Sequence, residues 1–292
     1  MDPSASHSKS TVGVVLEGGG FRGMYTSGVI DVWMEHGITA TATVGVSAGA
    51  TFGCNFKSEQ IGRALRYNKK YCADPRYCSI RNWLFKGDLF SRDFAYDELP
   101  WRLDVFDQEA FARNPMRFTV VATDINEGVP VYHDLGPGDK GDIEWIRASA
   151  SIPMVSHPVK LEGRELLDGG VADSIPFAWM LEQGLDRTVV VLTQPAGYRK
   201  EPNSLMPVLR LWLKRYPRLV ELLANRHERY NAQLDELARL ERAGKVFIIR
   251  PSESVRMPMM VRDPEILERA YQVGRADAEA TLGTLEAYIS GD

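Results

Sequence analysis

The sequence predicts an α/β protein with a mainly parallel central sheet, and two observations carry that expectation. The apolar run Val12-Gly13-Val14-Val15-Leu16 leads at once into Gly18-Gly19-Gly20-Phe21-Arg22-Gly23 and a helix-compatible stretch. A second run rich in β-branched residues then ends at Gly45-Val46-Ser47-Ala48-Gly49. Strand, glycine loop, helix, strand is how a parallel sheet opens, because parallel neighbours need a crossover between them. At 292 residues the chain is long enough to bury a substantial core, as one large domain or two smaller ones.

The elements follow in order. Residues 11–16 read as a buried strand. Residues 21–36 read as a helix stopped by Gly37, with Tyr25, Val29, Val32, Trp33 and His36 at helical spacing. A second strand over 38–46 is followed by a helix over 48–67. Residues 71–115 are less periodic, carry Pro75, Gly87, Pro100 and several aromatics, and read as an insertion or cap beside the main sheet. A strand over 116–123, a polar turn over 124–130 and a short strand over 131–133 come next. A short helix over 143–151 ends before Pro153.

Residues 159–161 and 165–167 flank Gly163-Arg164 as a hairpin whose second arm delivers Asp168-Gly169-Gly170. Helix over 177–183, strands over 188–193 and 245–249, and a carboxy-terminal helix over 263–284 complete the pattern. The amphipathic region 204–240 is helical by spacing but interrupted at Pro207 and Pro217. Leu209, Trp212, Leu213, Tyr216, Val220 and Leu223 line one face, with Arg210, Lys214 and Arg218 elsewhere. That pattern fits a helix packed on the sheet, and also a surface that meets lipid with its basic side chains snorkelling. No repeat or low-complexity linker divides the chain, so residues 11–292 are expected to form a single domain.

Composition narrows the class. Residues 1–10 are polar, with Pro3 and four serines, and read as a flexible tail rather than a targeting segment. No window supplies the roughly 18 apolar residues that span a bilayer. A formal net charge of −4 argues against a nucleic-acid partner. Cys54, Cys72 and Cys78 contain no C-x-x-C pair and read as reduced thiols of a cytoplasmic protein, with no metal centre implied.

Gly18, Gly20 and Gly23 also satisfy the G-x-G-x-x-G spacing of a dinucleotide site. That reading needs an acid near the end of the second strand, which here ends in Thr43-Val44-Gly45-Val46-Ser47, and a P-loop would need G-K-[ST]. Neither is present. The glycine segment instead reads as a cradle of backbone N–H groups for an oxyanion, and Ser47 as the nucleophile of a G-x-S-x-G elbow at a helix start. The base remains open between a histidine and a carboxylate. His157 is one candidate, His36, His133 and His227 are less well framed, and Asp168 stands between a short strand and two glycines that permit close approach. Asp124 reads as a turn residue, and Arg147 as either a phosphate ligand or a helix-end ion pair.

These residues resemble those of the patatin-like phospholipases, in particular compact bacterial members. The glycine segment 18–23, Gly45-Val46-Ser47-Ala48-Gly49, Ala122-Thr123-Asp124, Arg147-Ala148-Ser149-Ala150-Ser151-Ile152-Pro153 and Asp168-Gly169-Gly170 occur in family order across residues 11–195. The resemblance implies a three-layer α/β/α patatin-like fold with a mainly parallel sheet. It implies a serine acyl hydrolase in which Asp168 activates Ser47 and Gly18, Gly19, Gly20, Phe21, Arg22 and Gly23 form the oxyanion segment. A lipid ester substrate, peripheral membrane contact and no cofactor are the accompanying expectations. A small-ester carboxylesterase or thioesterase and a non-catalytic lipid-binding protein are the competing readings.

Overall fold

The computed structural model describes residues 10–254 and 257–291, so the tail expected over 1–10 lies outside the described residues except for Ser10. The chain begins with β1 (Val12–Leu16), a 3-10 turn (Gly20–Arg22), α1 (Gly23–Glu35), β2 (Ala42–Val46), α2 (Ala48–Lys57) and α3 (Arg63–Tyr71). α4 (Ile80–Lys86), a π-helical segment (Asp93–Leu103) and α5 (Gln108–Arg113) fill most of residues 71–115. β3 (Arg117–Asp124), β4 (Val129–Asp134), α6 (Lys140–Ser149), β5 (Val159–Leu161) and β6 (Arg164–Asp168) follow. The remainder is α7 (Phe177–Leu181), β7 (Arg187–Val191), α8 (Met206–Trp212), α9 (Pro217–Ala224), α10 (Arg226–Arg242), β8 (Phe247–Ile249) and α11 (Pro264–Ser290).

The sheet runs β5-β6-β3-β2-β1-β7-β8, with β4 on the other edge of β3. Strands β3, β2, β1, β7 and β8 are mutually parallel, and β4, β5 and β6 make antiparallel pairs. Alternate residues of each strand face opposite helical layers. Val12, Val14 and Leu16 pack with Val29, Val32 and Trp33 of α1 and Ala278 and Leu285 of α11. Val15, Val44, Val46 and Val190 pack against Phe177 and Met180 of α7 and Leu237 and Leu240 of α10. The fold is therefore three-layered, α/β/α, around a mixed but largely parallel sheet.

One feature of the register positions the site. β2 pairs with β3 up to Val46↔Val121, and at the next residue of β3 the same edge is taken by β6, through Ala122↔Asp168. β4 occupies the opposite edge of β3 over these residues, so β6 enters the lane that β2 vacates. The end of one strand thus faces the end of another.

Several boundaries differ from the sequence pattern. The helix expected over 48–67 is broken between α2 and α3, where Glu59 and Gly62 take positive φ values of 56° and 73°. The second strand begins only at Ala42, because Ile38 donates its N–H back to Trp33 at the end of α1. Region 204–240 forms three helices, not one interrupted face. Leu209, Leu219 and Leu223 turn inward, while Leu205, Val208, Leu211 and Trp212 are exposed. Among the described residues no helix is long and apolar enough to cross a membrane.

α1 and α11 cross in backbone contact. A Cβ on Gly28 would lie 2.1 Å from the Tyr271 carbonyl oxygen, and one on Gly274 would lie 2.0 Å from that of Tyr25. Around this crossing Asp31 accepts from the Tyr271 hydroxyl at 2.8 Å, and Glu35 takes a two-pronged ion pair from Arg275 at 2.8 and 2.7 Å. Since the clash partner at Gly274 is backbone, Gly274→Ala is expected to cost about 3 kcal/mol or more in chemical unfolding. Gly283 on the same helix has open space at its Cβ position, and Gly283→Ala is expected to stabilise by roughly 0.5–1 kcal/mol. Equal effects of the two changes would contradict the close crossing.

Candidate active site

Ser47 sits where β2 turns sharply into α2, with φ 53° and ψ −115°. A non-glycine residue held there stores roughly 1–3 kcal/mol of backbone strain. The flanking glycines are demanded by contact: a Cβ on Gly45 would lie 2.5 Å from the Gly49 carbonyl oxygen, and one on Gly49 would lie 2.2 Å from that of Leu16. Ser149 of α6 braces the turn. Its Oγ accepts the Ser47 N–H at 3.0 Å and donates to the Val121 carbonyl at 2.6 Å, fixing the elbow to β3.

The Ser47 hydroxyl donates to Asp168 Oδ2 at 2.6 Å, and both residues are buried. The other carboxylate oxygen, Oδ1, accepts the Gly170 N–H at 2.8 Å. The Asp168 backbone is pinned as well, its N–H to Ser151 O at 2.7 Å and its carbonyl to Thr123 Oγ1 at 2.8 Å. Gly169 packs so closely on β3 that a Cβ would lie 2.0 Å from Val121 O. Burial pushes the Asp168 carboxyl above the ordinary carboxylate range, while the Ser47 hydrogen bond, the Arg226 charge and the Gly170 N–H pull it back in part. The result is a carboxylate that is a stronger base than a solvated aspartate.

The glycine segment crosses the same site. Gly18 lies against Ser47, with 3.1 Å between the position of an added Cβ and the serine Cβ, and Gly20 has φ 57°. The first N–H groups of the 3-10 turn have no partner within it, so the turn presents donors at its start. Gly18, Gly19, Gly20, Phe21 and Arg22 line one cavity with Ser47 and Asp168, whereas Gly23 is the first residue of α1, its Cβ position filled by Ala48 and Phe52. This cavity measures about 620 Å³ and is walled largely by apolar side chains, among them Phe52, Tyr67, Phe90, Leu99, Ile152 and Leu209. Residues 71–115 supply several of them.

None of the described histidines lines this cavity. His157 is largely exposed and faces Asp88 at 3.6 Å, His133 stacks on Trp145, His227 bonds the Ala224 carbonyl, and His36 is exposed. Asp124 receives the N–H groups of Asn126 and Glu127 and an ion pair from Arg164, and Arg147 pairs with Glu144. All three cysteines are free and buried. Among the described residues no cluster of three or more His, Cys, Asp or Glu side chains is placed to hold a metal.

Sequence reasoning missed the groups that frame the site from afar. Glu17, buried directly after β1, accepts from the Tyr230 hydroxyl at 2.6 Å and the Thr193 N–H at 2.6 Å, tying the glycine segment to α10 and β7. Arg226 Nε donates to Gly170 O at 2.6 Å, and Arg229 donates to Val171 O at 2.7 Å. An acid immediately before the glycine run was the visible signal for Glu17. Arg226 and Arg229 had none, because the Gly170 and Val171 carbonyls they reach lie more than fifty residues away.

Comparison with known proteins gives the family. The family model described as Patatin-like phospholipase matches residues 14–180, and a Domain of unknown function (DUF6363) matches residues 216–290. The chain is 26% identical to the Uncharacterized protein YjjU of Escherichia coli over 94% of this chain and 78% of that one. It is 29% identical to the Uncharacterized NTE family protein Rv1063c of Mycobacterium tuberculosis, over 74% of this chain and 58% of the relative. It is 26% identical to Lysophospholipase NTE1 of Scheffersomyces stipitis, where the match covers 67% of this chain and only 12% of the much longer relative. The match over residues 14–180 takes in the glycine segment, the serine elbow and the Asp168 loop, and the chain belongs to the patatin-like phospholipase family.

Proposed function

We propose that the protein is a serine acyl hydrolase that cleaves carboxylic ester bonds of phospholipids or lysophospholipids through a Ser47–Asp168 dyad. The 2.6 Å hydrogen bond from Ser47 Oγ to a buried Asp168 carboxylate is the observation that carries this reading. Membership of a lipid-hydrolysing family, and an apolar cavity of about 620 Å³ opening on the serine, support it.

In this mechanism Ser47 Oγ attacks the ester carbonyl while its proton passes to Asp168 Oδ2. Backbone N–H groups of the 18–21 segment receive the oxyanion, where preorganised donors in a water-poor site are most effective. The C–O bond breaks, the departing alcohol oxygen takes the proton from Asp168, and the acyl group stays on Ser47. A water molecule then gives its proton to Asp168 and attacks the acyl carbonyl. Fatty acid leaves, and Ser47 recovers its proton. Exposed Leu205, Val208, Leu211 and Trp212 lie on and just before α8, whose Val208 and Leu209 line the cavity, so peripheral contact with a lipid surface is part of the reading.

Ser47→Ala is expected to lower ester hydrolysis at least about 10³-fold. Asp168→Asn is expected to lower it at least about 10²-fold with the fold retained, measured on lysophospholipid and monoacylglycerol substrates. Asp168 must be ionised to accept the proton, so kcat/KM falls as pH drops through its raised pKa. The acidic limb should therefore lie above the ordinary aspartate value of about 4. Full activity in Asp168→Asn with loss in His157→Ala would contradict the dyad. Ser149→Ala leaves the Ser47 N–H without its acceptor and removes one donor to Val121 O, and should cost about 1–3 kcal/mol in thermal unfolding.

A further inference from the structure

Three cationic side chains from separate parts of the chain meet the wall of the Ser47 cavity: Arg22 in the 3-10 turn, Lys200 in the loop after β7, and Arg226 at the start of α10. Among the described residues none of the three takes part in a salt bridge. Two carboxylates act on them electrostatically, Glu17 on Arg22 and Lys200 and Asp168 on Arg226, so three cations share two anions. Glu17 receives Tyr230 and Thr193, and Asp168 receives Ser47 and Gly170.

Lys200 is held in place by its backbone, which exchanges two hydrogen bonds with the Asn231 side chain at 2.9 and 3.0 Å. Its ammonium lies 4.9 Å from the centre of the Tyr230 ring. Burial, with the like charges of Arg226 and Arg22 adding to it, pushes Lys200 down to about 8, while Glu17 opposes the shift. Arg226 spends Nε on Gly170 O, and Arg22 Nε is buried without a hydrogen-bond partner. Three partly buried cations opposed by two carboxylates leave a positive excess that a further anion relieves.

A second cavity of about 500 Å³ adjoins the first and shares Lys200, Asn203, Leu223 and Arg226 with it. Lys200 and Arg226 therefore stand between the chamber that holds Ser47 and an annex lined also by Tyr198, Arg199, Glu201 and His227. We propose that Lys200 and Arg226, supported by Arg22, form a subsite for the phosphate of the substrate headgroup, with the remainder of the headgroup entering the annex. An anion with several oxygens can satisfy donors arriving from three directions, and an uncharged glyceride cannot. The proposal rests on the ester-hydrolase reading of Ser47.

The test compares a lysophosphatidylcholine and a monoacylglycerol with the same acyl chain, both presented as monomers, in the wild type, Lys200→Met and Lys200→Arg. The ratio of their kcat/KM values is expected to fall about tenfold or more in Lys200→Met and to be largely restored in Lys200→Arg. An unchanged ratio in Lys200→Met would overturn the proposal. Lys200-dependent inhibition of monoacylglycerol hydrolysis by inorganic phosphate, without a change in that ratio, would assign the cations to free phosphate and also overturn it. Should the wild type hydrolyse neither ester, the hydrolase reading fails on its own. Calorimetric binding of the same two lipids to the Ser47→Ala protein, with and without Lys200→Met, then decides the subsite: Lys200-dependent preference for the phospholipid supports it, and equal binding refutes it.

Discussion

The hydrogen bond between Ser47 and Asp168 depends on a change of lane in the sheet. β3 extends beyond β2, and β6 pairs with the uncovered part of β3 on the edge that β2 has left. Two strand ends are thereby brought together, and both carry glycines where a side chain would strike backbone. Gly45 and Gly49 make room for the serine turn, and Gly169 lets the Asp168 loop lie on β3. The positive φ at Ser47 is tolerated because Ser149 and the packed glycines hold the elbow from outside. Strain at such a turn presents the Ser47 hydroxyl to the cavity and is borne by the surrounding sheet.

In the proposed dyad, burial supplies the basicity. A solvated aspartate is a weak base toward a serine hydroxyl, and desolvation narrows the gap by raising the cost of its charge. Complete desolvation would leave the carboxyl protonated and useless. The Gly170 N–H and the Arg226 charge limit the shift, so the segment of residues 216–290 takes part in the site through α10. Tyr230 acts in the same way on Glu17, and through it on the start of the glycine run.

Local pattern made legible the half of the fold that carries the candidate site. The buried strand β1, the glycine run, the elbow at Ser47 and the Asp168 loop each rest on residues close in sequence, and the family model matches the same stretch. What escaped was set by distant contacts. The break between α2 and α3 falls at Glu59 and Gly62 without a proline to mark it. The apolar residues of 204–240 divide between core and surface even within one helix, so on α8 Trp212 is exposed while Leu209 is buried. Arg226 and Tyr230 reach the cavity from α10, and Lys200 from the loop after β7, where its backbone is held by Asn231 of α10.

The most direct test of the account is covalent. A fluorophosphonate probe should add to the protein once, and peptide mass mapping should place the adduct on Ser47. The labelling rate should fall sharply in Asp168→Asn and decline in the wild type as pH drops through the Asp168 pKa. An adduct on another residue, or labelling of Ser47 at an undiminished rate in Asp168→Asn, would contradict the claim that this buried carboxylate activates this serine.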